Sequence, residues 1–70
     1  MNTAVLKGKI IAKGFTIDSF CKAVGIVRVT FDRRMSGKSE FDRSEMCRII
    51  QALDLNMDDV HDIFFAKEVA

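Results

Sequence analysis

Three glycines, Gly14, Gly25 and Gly37, do most to limit what this chain can fold into. Between them, apolar residues recur at the three- and four-residue spacing of a helix. Each glycine falls where a stripe ends, the place where a residue that takes the left-handed backbone without penalty stops a helix. Segments this short are marginal as isolated helices, so they must bury their apolar faces against one another. Val5, Leu6, Ile10 and Ile11 make the first stripe. Thr16 reads as the N-cap of a second helix with Phe20, Cys21 and Val24 inward, and Ile26 packs at the turn that follows. A third helix runs from about residue 28 to 35, with Phe31 and Met35 facing the core, and KSEF beyond Gly37 reads as a loop. Asp42 opens a fourth helix with Glu45 at capping-box spacing, and Met46, Ile49, Ile50 and Leu53 form its stripe. Asn56 caps a fifth, where Asp58 and Asp59 complement the helix dipole and Val60, Ile63 and Phe64 turn inward. There is no strand pattern, no repeat and no proline. The expected fold is all-α, a compact bundle of about five short helices in one domain over residues 1–70.

A chain of 70 residues leaves no room for a second catalytic or sensor domain. No apolar run is long enough for a bilayer, and the opening MNTAVLKGK lacks a secretory core, so a cytoplasmic protein without membrane contact is expected. Cys21 and Cys47 form no CxxC and are read as buried apolar thiols, not as a disulfide. His61, the sole histidine, is expected at the surface and has no companion ligands, so neither a metal nor any other cofactor is expected. No nucleophile has a base at a recognisable spacing, which argues against an enzyme.

The net charge is only +1, but it is unevenly spread. Lys7, Lys9 and Lys13 open the chain, and Lys22, Arg28, Arg33, Arg34, Lys38 and Arg43 dominate its middle. Asp54, Asp58, Asp59, Asp62 and Glu68 make its end acidic. A basic front and an acidic back can orient a protein on a polyanion.

The stretch TIDSFCKAVGIVRVTFDRRMSGK has the outline of a helix-turn-helix over about residues 16–36. A small residue, Cys21, sits where the two helices cross, Gly25 makes the turn, and Ile26 and Phe31 lock the second helix down. Thr16, Phe20, Cys21, Val24, Gly25, Ile26, Arg28, Thr30, Phe31, Arg33 and Gly37 together resemble the lambda-repressor-like, Cro/repressor-type (XRE) helix-turn-helix family. The trailing SEMCRIIQALDLNMDDV resembles that family's last two helices, so the likeness spans about residues 4 to 65.

The resemblance implies a lambda-repressor-like DNA-binding domain, a Cro-like phage regulator of transcription that acts as a repressor and lodges helix 28–35 in the major groove of a double-stranded operator. Its setting would be the cytoplasm of a bacterial host, on the nucleoid. Base reading would fall to Arg28, Val29, Asp32 and Arg33. An arginine there can grip guanine through two hydrogen bonds, valine can pack on a thymine methyl, and Asp32 can accept from cytosine or orient an arginine. Phosphate contacts would fall to Thr16, Arg34, Ser36, Lys38 and Ser39. Such proteins commonly bind paired half-sites as homodimers, and IFFAKEVA offers Phe64, Phe65 and Val69 for that contact.

Two departures open a second reading. The family commonly has serine where this chain has Val27, and a polar residue where it has Val29. Valine cannot cap a helix, and two neighbouring valines form a small apolar patch. That face would then serve a protein-interaction module that binds a phage repressor and modulates it, as co-repressor or anti-repressor.

Overall fold

The computed structural model describes residues 2–65. Five α-helices follow one another: α1 (Thr3–Ala12), α2 (Ile17–Val24), α3 (Arg28–Met35), α4 (Arg43–Leu53) and α5 (Met57–Phe64). No strand occurs among the described residues. The chain is therefore an all-α bundle of five short helices, as its periodicity predicts.

Local chemistry sets the helix ends. Thr16 and Ser19 close a capping box on α2, Asp42 and Glu45 one on α4, and Asn56 and Asp59 one on α5. In each, a side-chain oxygen satisfies an amide that the first turn leaves without a helical partner. Asn2 caps α1 in simpler fashion, accepting from the Val5 amide at 3.2 Å. Its own amide donates to the Ile63 carbonyl at 2.7 Å, which ties the start of the chain to α5. Lys9 Nζ lies 3.0 Å from Asp59 Oδ1 on the same seam. That hydrogen bond is the main reason the Asp59 carboxyl sits below the usual aspartate pKa.

The core gathers Leu6 and Ile10 of α1, Phe20, Cys21 and Val24 of α2, Phe31 of α3, Ile49 and Leu53 of α4 and Ile63 of α5. Ile26, from the turn between α2 and α3, joins them. A row of phenylalanines runs through it, Phe15 to Phe20 to Phe31 to Phe41 to Phe64, with neighbouring ring centroids 5.4–6.3 Å apart. Three of these contacts are edge-to-face and the fourth is tilted, which suits the aromatic quadrupole.

Three positions depart from the sequence reading. Ile11 is exposed, because it lies about 140° round the helix from Leu6 and the core touches only the Leu6–Ile10 side. Cys47 is exposed for the same reason, about 160° round α4 from Ile49, so only Cys21 is a buried thiol. Burial is what chiefly raises the Cys21 pKa above its ordinary value. Phe41, in the segment read as a loop, is a core residue.

Candidate nucleic-acid interface

The candidate surface is built from α2, the turn Gly25–Ile26–Val27 and α3. Gly25 sits in the left-handed region at φ +70°, and its amide and that of Ile26 both return to the Cys21 carbonyl. A Cβ at Gly25 would lie 3.1 Å from Arg48 Nη1 of α4, the movable tip of an exposed side chain, so it is the backbone angle that calls for glycine here. Ile26 drops into the core at the turn. Phe31 is the one fully buried residue of α3 and anchors the helix from behind.

With Phe31 inward, Arg28, Val29, Asp32 and Arg33 are all exposed and form one outward stripe along α3. Val27 and Val29 are 71% and 65% exposed, a small apolar patch at its leading end. Arg28 Nε donates to Asp32 Oδ1 at 3.1 Å, and Arg28 Nη1 donates to Asp18 Oδ1 at the start of α2. The hydrogen bond to Asp32, then the one to Asp18, raises the already high pKa of this guanidinium further. Arg33 forms no ion pair among the described residues.

The residues expected to hold phosphates are arranged differently. Lys38 is exposed. Thr16 Oγ1 accepts from the Ser19 amide at 3.1 Å, which leaves its hydroxyl proton free to donate outward. Ser36 Oγ donates to the Arg33 carbonyl at 2.9 Å. Arg34 and Ser39 are turned toward one another and away from solvent. Arg34 Nε donates to buried Glu45 Oε1 at 2.7 Å and Nη1 to Ser39 Oγ at 2.8 Å. Two of its five N–H donors thus brace α3 against α4, and the side chain is only 20% exposed.

The structure also brings in residues that the sequence did not single out. Lys7 of α1 lines a shallow groove with Arg28, Asp32 and Ser36. Lys22 and Asp18 of α2 line another with Val27 and Arg28. No signal along the chain pairs Asp18 with Arg28, because the contact crosses the turn. Of the residues expected at a dimer contact, Phe64 is half-buried against Phe41 and Phe65 is 59% exposed. Val69 lies outside the described residues.

Val27 occupies the N-cap of α3 with an extended backbone, φ −61° and ψ 139°, and gives no side-chain cap. Val27→Ser should supply an acceptor for the Thr30 amide and raise stability by about 1 kcal/mol in urea denaturation. No gain would mean that this first turn is already satisfied by water.

These features define a small helical protein with one short, solvent-facing helix of mixed charge. Among the described residues there is no cluster of His, Cys, Asp or Glu fit for a metal, and no helix long and apolar enough to cross a membrane. The chain belongs to the DUF739 family, described as proteins of unknown function, whose pattern matches residues 2–67. No curated protein and no solved structure matches it.

Proposed function

We propose that this chain is a sequence-specific DNA-binding regulator of transcription, of the small Cro-like helix-turn-helix type, with α3 entering the major groove. The outward stripe of Arg28, Val29, Asp32 and Arg33, anchored from behind by Phe31, carries this reading. A short helix is narrow enough for the groove, and its leading side chains then meet base edges. Thr16 and Lys38 flank the stripe in sequence, and Lys7 and Lys22 line the grooves beside Arg28, within reach of the phosphates that border a groove. A homodimer on paired half-sites, through the exposed Phe65 end, is part of the proposal.

The test is an equilibrium titration against the DNA flanking the gene, with scrambled duplex as competitor and at two salt concentrations. Binding to native DNA about a thousandfold tighter than to scramble is expected. Arg28→Ala and Arg33→Ala should each cost about 1–3 kcal/mol of that preference while the melting curve stays put. Unchanged binding by both variants would remove α3 from the groove.

The exposed Val27–Val29 patch favours a second reading, a module that binds a phage repressor and modulates it. Under that reading Val27→Asp or Val29→Asp breaks the complex with the repressor, and the protein alone has negligible affinity for any duplex.

A further inference from the structure

Arg28 is bracketed by two carboxylates from different helices, Asp32 on its Nε and Asp18 on its Nη1. All three side chains are about half exposed or more, and ion pairs in such surroundings contribute little to stability. The bracket also works against simple attraction to DNA, since one guanidinium between two carboxylates leaves the cluster with a charge of −1.

We propose, resting on the DNA-binding reading above, that Asp18 and Asp32 are positioning residues that set specificity. They hold the Arg28 fork for a guanine edge and withhold its charge from phosphates elsewhere. An arginine has five N–H donors. The bracket uses one on Nε and one on Nη1, so the second Nη1 hydrogen and both Nη2 hydrogens stay available. Guanine offers O6 and N7 side by side, and two donors of one guanidinium satisfy them together. A phosphate makes no such demand. It attracts net positive charge and releases counterions, whatever the sequence. A guanidinium already neutralised by Asp18 and Asp32 adds little to that term and keeps its value at guanine. The carboxylates hold the arginine to one direction as well, and preorganised donors lose less freedom on binding.

Selection from a random-sequence duplex library tests this, with the full chain and its Asp18→Asn and Asp32→Asn variants. Affinities for the enriched and a scrambled duplex are then measured across a salt series. The parent chain should enrich a motif containing guanine. Each Asn variant should bind scrambled duplex roughly three- to tenfold tighter, with a salt slope steeper by about 1. Its enriched motif should lose definition at the guanine. In an Arg28→Ala background, Asp18→Asn should leave the ratio of specific to non-specific affinity unchanged. Both aspartates are exposed, so each variant reports independently should the other fold poorly.

An enriched motif that the Asn variants read equally well overturns this proposal and leaves the DNA-binding reading standing. A change in the affinity ratio that Asp18→Asn still causes without Arg28 also overturns it, because the aspartate then acts on specificity by a route other than Arg28. No enriched motif for the parent chain overturns the proposal and the DNA-binding reading together.

Discussion

Phe31→Ala should leave the chain largely unfolded at room temperature. Phe31 is 1% exposed and touches two other rings, Phe20 at 6.1 Å and Phe41 at 5.9 Å between centroids. Truncating a buried phenylalanine costs about 3–5 kcal/mol, from lost transfer energy and the cavity left behind. A single core in a chain of this length supplies about the same, 3–5 kcal/mol, so nothing remains to hold the native state. The site suffers first, since α3 has no other fully buried residue and its exposed stripe keeps its direction through that ring. Far-UV circular dichroism in a urea series measures the loss. Phe31→Leu, which keeps an apolar side chain in place, should retain a cooperative transition at lower urea. An alanine variant that unfolds at the parent's urea midpoint would mean that α3 docks by some other contact.

The parts of the fold that were legible in the sequence are those set by near neighbours. Thr16, Asp42 and Asn56 start helices because a short polar side chain reaches an amide within the next turn. Gly14, Gly25 and Gly37 follow helices because their positive φ suits glycine best. The Arg28–Asp32 pair was legible too, as two residues four apart on one helix.

What escaped the sequence spans turns and loops. Phe41 stands outside any helical stripe and is buried only because Phe31 and Phe64 approach it from either side. Asp18 and Arg28 meet only once the turn at Gly25 has folded α3 back beside α2. Arg34 and Glu45 meet across the loop between α3 and α4. Along the chain Arg34 resembles Arg33, a cation on the recognition-like helix. Helical geometry turns the two about 100° apart, which sends one outward and the other to Glu45. Half of the cationic character that RR lends to the sequence is therefore structural.

Glu45→Ala should be the second most damaging change, at about 3 kcal/mol. Glu45 is the buried charged residue of the core and serves two helices at once. Its Oε1 accepts from the Asp42 amide at 2.9 Å, closing the cap of α4, and from Arg34 Nε at 2.7 Å, bracing the end of α3. Alanine removes this shared acceptor and strands the guanidinium. Breaking a buried ion pair from one side commonly costs about 3–5 kcal/mol, because the remaining charge is left without compensation. The lower figure applies here, since the Arg34 side chain is 20% exposed and can swing partly into water. Glu45→Gln keeps an acceptor oxygen for the Asp42 amide and should lose less. Arg34→Met alone leaves the carboxylate buried opposite a thioether. Arg34→Met combined with Glu45→Gln should recover much of that loss, because no uncompensated charge then remains. Urea midpoints of the four variants give the coupling directly. A double variant as unstable as the sum of its parts would show that the two side chains act separately, Glu45 as a cap and Arg34 as a surface cation.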